Sequence, residues 1–170
     1  RYCTIYRNNK SYEKKGWLMK IKHSTFEDDR GSFTAIDCNL LDRKWDQFNI
    51  SINDKKYTFR GLHYQNNPRQ TKCIKVVRGK IIDILVNLDT GEVGSFRLDN
   101  SEFLFVPNNC AHGFLTIEDN TIVTYLVNGE YNSNSEHSIV WNTIDEVKKI
   151  VTTYTNGKQL IISEKDNLGK

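Results

Sequence analysis

Three short segments stand out as carriers of chemistry: Phe59-Arg60-Gly61-Leu62-His63-Tyr64-Gln65, Val106-Pro107-Asn108-Asn109-Cys110-Ala111-His112-Gly113-Phe114 and Thr124-Tyr125-Leu126-Val127. An imidazole with an unperturbed pKa near ~6.5 can take or give a proton at working pH. A phenol near ~10 is a weak acid, useful only when held against a strongly basic partner. Side chains alternate across a strand, so Phe59, Gly61, His63 and Gln65 are expected on one face, and Val123, Tyr125 and Val127 on one face of another. If those faces turn into a barrel, His63 and Tyr125 point at one internal cavity. Taken singly, each has a commoner explanation, a backbone-bonded core histidine and a rim tyrosine.

The elements that must position these groups are short. Runs rich in β-branched and aromatic residues predict strands over 17–23, 33–38, 48–52, 57–65, 72–77, 80–88, 102–106, 112–117 and 121–127. Turn residues such as Asp29-Arg30-Gly31, Asn66-Asn67-Pro68, Arg78-Gly79 and Pro107-Asn108-Asn109 separate them. So many short strands predict a sandwich or barrel. One helix is expected over 143–151, where Ile144, Val147 and Ile150 recur at helical spacing. With 170 residues and no linker or repeat, one β domain with ragged ends is expected.

Bulk properties exclude several classes. Charged residues make up 26% of the chain and the net charge is +3, with acidic and basic residues interleaved. That is not the concentrated basic face of a nucleic-acid binder. No apolar run approaches the ~18–20 residues of a membrane span. The polar start lacks a signal-like core, and Cys3, Cys38, Cys73 and Cys110 form no CxxC, so reduced thiols in a cytoplasmic protein are expected.

The three segments, with Asp28-Asp29-Arg30-Gly31 before them and Ser163-Glu164-Lys165-Asp166 after, resemble the dTDP-4-dehydrorhamnose 3,5-epimerases. The resemblance runs in order from Phe26 to near the C-terminus. It implies an all-β jelly roll of cupin type with a short C-terminal helical segment. Residues 1–25 form an extension with a first strand, and 26–170 the epimerase domain. It also implies a homodimer and a cofactor-free isomerase. The substrate is a nucleotide-linked (dTDP, UDP or GDP) 4-keto-6-deoxy sugar, in deoxysugar supply for a polysaccharide. A C4 ketone acidifies the C3 and C5 hydrogens, so inversion needs a base, a stabiliser of the enolate oxygen and an acid on the opposite face.

The resemblance assigns these roles residue by residue. His63 is the base and Asp166 the carboxylate that fixes its tautomer. Lys72 is the cation beside the ketone oxygen, and Tyr125 the opposed acid. Arg30, Phe33, Gln47, Asn49, Arg60, His112, Glu136 and Lys165 match substrate-contacting positions, and Tyr131 an aromatic that stacks on the nucleotide base. By the same resemblance, Arg30 and Phe33 complete the neighbouring subunit's pocket. The chain departs from the family pattern at Ala35, where a glutamate is usual, and at Thr152-Thr153, where Trp-Pro is usual. The first loosens the nucleotide assignment and the second the C-terminal packing.

Three rivals stay open at this level. A metal cupin could use His63 and His112, but the HxH pair is missing because Tyr64-Gln65 follows His63, and a nearby lysine opposes a dication's charge. A ketoisomerase or single-centre epimerase would keep the base and vary the acid. A non-catalytic sugar-nucleotide-binding cupin would have no need of base, lysine, tyrosine and aspartate together.

Overall fold

A computed structural model describes residues 3–7, 10–15, 18–22, 25–35 and 44–169, the first three stretches as backbone. Two antiparallel sheets face each other. The larger joins β1 (Cys3–Arg7), β2 (Lys10–Lys15), β3 (Leu18–Lys22), β6 (Gln47–Asn53), β8 (Thr71–Arg78), β11 (Glu102–Val106) and β13 (Thr121–Asn128), in the order β1-β2-β3-β11-β8-β13-β6. The smaller joins β7 (Phe59–Gln65), β9 (Ile81–Asn87), β10 (Val93–Leu98), β12 (Cys110–Thr116) and β14 (Glu136–Ser138), in the order β10-β9-β12-β7-β14. β4 (Thr25–Asp28) and β5 (Gly31–Thr34) form a separate hairpin. This is the sandwich expected from the strand pattern and the all-β jelly roll that the family resemblance implies.

The run Ile81-Ile82-Asp83-Ile84-Leu85-Val86-Asn87 is buried throughout because both its faces are covered. Ile81 and Leu85 join Ile74, Val76, Leu104, Phe114 and Val123 in the core between the sheets. Ile82, Ile84 and Val86 face the other way and pack with Phe59, Leu62 and Leu115 under α1 (Asp145–Thr155), which contributes Val147 and Val151. Each such side chain, fully buried, stabilises the fold by about 1.5–3 kcal/mol. Asp145 and Glu146 sit in the first turn of α1, where the helix dipole favours negative charge. Asn156 closes the helix in the left-handed conformation.

The C-terminal end is ordered rather than ragged. Phe59 N–H donates to Ile161 O and Ile161 N–H to Tyr57 O, at 2.9 Å each, which lays this segment beside β7. A short helix, α2 (Glu164–Leu168), follows, its N-cap Ser163 accepting from the Asp166 N–H.

Several expectations are corrected in detail. The helix expected over 143–151 runs over Asp145–Thr155. β1, β2, β4, β10, β14 and α2 were not foreseen. The strand expected over 33–38 is β5, ending at Thr34, and positions 36–38 lie outside the described residues, as do the side chains of Cys3 and Cys38. Alternation along β7 also fails: Phe59 and Leu62 both face the outer core, while Arg60 and His63 both line the cavity. The cause is a register shift against β12, where His63 pairs with His112 but Arg60 with Phe114. Gly61, at φ +125°, sits at the shift, and a Cβ there would collide with the backbone of Gly113.

Candidate active site

The cavity lies between the sheets, and each wall follows from strand register. On the larger sheet Val127 pairs with Lys72 and with Gln47, and Tyr125 pairs with Asn49. Residues two apart share a face, so Lys72, Tyr125, Gln47 and Asn49 all project from this wall. The smaller sheet supplies His63, Arg60 and His112 from β7 and β12, and Glu136 from its edge strand. Two adjoining lobes share His63, Lys72 and Tyr125. One, of about 300 Å³, is also lined by Gln47, Asn49, Tyr131 and Glu136. The other, of about 280 Å³, is also lined by Arg60, His112 and Asp166.

His63 Nε2 lies 2.7 Å from Asp166 Oδ1, and the Gly61 N–H donates to Asp166 Oδ2 at 3.2 Å. Burial pushes the Asp166 carboxyl up, but the bonds from His63, Gly61 and Ser163 prevail and hold it below its ordinary range. An ionised carboxylate only accepts, so Nε2 carries the imidazole proton. Nδ1 is left with a free lone pair, the requirement for a base.

Lys72 and Tyr125 are the groups with nothing to hold. Among the described residues, neither the Lys72 ammonium nor the Tyr125 hydroxyl has a hydrogen-bond partner. Burial lowers Lys72 to about 8, against the opposing fields of Asp83 and Glu136. Burial also raises Tyr125, so the phenol is protonated at neutral pH and can donate.

The remaining expected residues divide. Arg60 Nε donates to Asn53 Oδ1 at 2.8 Å, and the Asn53 amide is itself anchored on Ser51 and Thr121 carbonyls. Lys165 Nζ and the Tyr131 hydroxyl both donate to Glu136 Oε2, at 2.8 and 3.2 Å, forming a polar bracket at the mouth. Burial opposes ionisation of Glu136, but the Lys165 bond wins and keeps it below the usual carboxylate range. Arg30 and Phe33 do not line this chain's cavity. Arg30 is ion-paired to Asp28 on the β4–β5 hairpin, and Phe33 is exposed there.

Sequence reasoning missed Asp83. It is fully buried, 2.8 Å from His112 Nε2 through Oδ2, with no partner for Oδ1 among the described residues. Burial raises its carboxyl, opposed by His112 and Lys72. A lone acid inside an otherwise apolar strand was the signal that could have found it. Among the described residues no three His, Cys, Asp or Glu side chains gather as a metal cage.

A jelly-roll sandwich with a carboxylate-backed imidazole on one wall and a phenol and ammonium on the other defines a cupin-type isomerase. Comparison with known proteins makes this particular. The family model of dTDP-4-dehydrorhamnose 3,5-epimerase matches residues 15–170. The enzyme of that name from Methanothermobacter thermautotrophicus is 34% identical over 163 residues, covering 86% of this chain and 84% of that one. The one from Neisseria gonorrhoeae is 32% identical over 135 residues, covering 72% of this chain, which spans only 41% of that relative's length. The crystal structure of the Bacillus anthracis enzyme, with TDP and PPi bound, superposes with a TM-score of 0.78 at 30% identity, covering 99% of this chain and 98% of that one. The chain belongs to the dTDP-4-dehydrorhamnose 3,5-epimerase family, an isomerase family of deoxysugar biosynthesis.

Proposed function

We propose that this chain inverts C3, C5 or both in a nucleotide-linked 4-keto-6-deoxy sugar, without a cofactor. The observation that carries this reading is the placement of base and acid on opposite sheets. Facing sheets of a sandwich stand ~10 Å apart, enough for a sugar ring to lie between them. His63, backed by Asp166, takes the proton beside the ketone from one side. Lys72 stabilises the enolate oxygen, an interaction stronger in the transition state than in the ground state. Tyr125 returns a proton from the other side, and inversion follows.

Arg60, His112, Gln47 and Asn49 orient the sugar and diphosphate, and Tyr131 stacks on the base within the bracket of Glu136 and Lys165. Thymine is the favoured base, supported by the TDP bound to the Bacillus anthracis relative. The reaction sits in the cytoplasm, where buried thiols such as Cys73 and Cys110 stay reduced. The test is incubation with dTDP-4-keto-6-deoxyglucose in D₂O, followed by NMR. Deuterium should enter at C3, C5 or both with wild type and not with His63→Ala. Exchange at the wild-type rate in that variant would remove His63 as the base.

The same reading includes a homodimer of one domain per chain. Phe48, Ile50 and Ile52 stand more than half exposed on one face of the edge strand β6, as do Phe26 and Phe33 on the hairpin. Exposed apolar surfaces of this kind mark interaction sites, and by the family resemblance Arg30 and Phe33 complete the partner's cavity. Ile50→Glu should sediment as a monomer where wild type sediments as a dimer, and an unchanged dimer would place the interface elsewhere.

A further inference from the structure

Gln65 is the last residue of β7, two beyond His63 and 3% exposed, and its side-chain amide is fully engaged. Nε2 donates to Pro68 O at 2.6 Å and to Glu130 O at 2.8 Å, while Oε1 accepts from the Asn132 N–H at 2.8 Å. The last two partners are the main-chain groups on either side of Tyr131. Tyr131 itself is half exposed, held through its side chain by the Glu136 bond. An aromatic so placed depends on its backbone for position, and that backbone is fastened at both ends by one buried amide. Asn132 extends the clamp, donating to Asn67 O at 3.0 Å and to Ser135 Oγ at 3.1 Å.

We infer that Gln65 is a positioning residue for nucleotide recognition, coupling the strand that carries the base to the loop that presents Tyr131. This rests on the reading of Tyr131 as the base-stacking residue. An amide is the required group, because two donors meet two carbonyls while one acceptor meets an N–H. Gln65→Glu keeps the shape but turns a carboxylate oxygen toward two carbonyl oxygens. Gln65→Met keeps the volume and removes every polar contact.

The measurement is dTDP affinity by calorimetry for wild type, Gln65→Glu, Tyr131→Ala and the double variant, with kcat and KM on the keto-sugar nucleotide. Gln65→Glu should weaken dTDP about tenfold or more and raise KM likewise, the scale of a lost buried hydrogen bond or two, with kcat within about twofold because His63, Lys72 and Tyr125 keep their places. In the Tyr131→Ala background the same change should cost little, since the platform it positions is gone. Additive losses, or a fall in kcat at constant KM, would overturn the inference while leaving Tyr131's role standing. An unaltered dTDP affinity in Tyr131→Ala would instead overturn the stacking assignment and this inference with it. If Gln65→Glu does not fold, Gln65→Met carries the same comparison with the same expected and refuting outcomes.

Discussion

Changing Asp166 to asparagine preserves the side chain's outline but removes its charge and one acceptor. The carboxylate accepts twice, from His63 Nε2 at 2.7 Å and from the Gly61 N–H at 3.2 Å. Asparagine brings one oxygen and one NH₂, so it can satisfy only one of these donors as an acceptor. With the oxygen toward His63, the amide group opposes the Gly61 N–H, and a buried unsatisfied donor costs ~1–3 kcal/mol. With the oxygen toward Gly61, the NH₂ donates to Nε2, the ring proton moves to Nδ1, and the lone pair that takes the substrate proton is lost. The second arrangement is favoured, and a preference of ~2 kcal/mol leaves about one molecule in thirty with a competent base. Losing the charge-assisted bond to the developing imidazolium costs a further ~1.5–3 kcal/mol. Together these predict a fall of about 10²–10⁴ in the rate of proton abstraction, the scale seen when the aspartate of a Ser-His-Asp triad is replaced by asparagine. The assay is initial deuterium uptake by the keto sugar in D₂O, which reports abstraction without requiring inversion. Uptake within tenfold of wild type, from a variant that melts at the wild-type temperature, would refute the tautomer argument.

Two further outcomes follow from the opposite wall. The Lys72 ammonium, with its pKa near 8, is charged below that pH and lost above it, so kcat/KM should decline with an alkaline limb near pH 8 rather than near 10.5. Lys72→Arg, charged throughout, should shift that limb upward even if it is slower at pH 7; a limb that stays put belongs to another group. Tyr125→Phe should reduce inversion by about 10²–10⁴ while His63 continues to exchange protons with retention on its own face, and NMR of the product in D₂O separates the two. Undiminished inversion would give the acid role to a different side chain.

The strands that were legible in the sequence are those whose burial is simple. The β-branched run at 80–88 is a strand because both faces meet apolar neighbours, and Tyr125 points inward because Val123 and Val127 beside it do. β10 carried a period-2 signal in Gly94, Phe96 and Leu98, each buried between more exposed neighbours, but a glycine at one of its three inward positions weakened it. β14 has three residues, too few for any period, and exists because Glu136, His137 and Ser138 find Gln65, Tyr64 and His63 across the sheet edge. Asp166 was identified by resemblance alone. Its link to His63 spans 103 residues and depends on the C-terminal segment pairing with β7 and on Ser163 capping α2. No local pattern encodes that tertiary event, although a serine three residues ahead of an aspartate is a capping signature.

The failure of alternation along β7 is the most informative part of that comparison. A regular strand would put Arg60 and Leu62 on one face and Gly61 and His63 on the other, which would deny the cavity either its guanidinium or its imidazole. The shift at Gly61 lets Phe59 and Leu62 both seal the outer core while Arg60 and His63 both face the cavity. The shift needs the backbones of β7 and β12 to come closer than any side chain allows, since a Cβ on Gly61 strikes Gly113 and one on Gly113 crowds Arg60 O and Gly61. The glycine of Arg-Gly-Leu-His and the glycine of Ala-His-Gly-Phe are therefore two halves of one contact. Two segments some fifty residues apart have to be read together because the same close approach that breaks the strand's period builds the wall of the site.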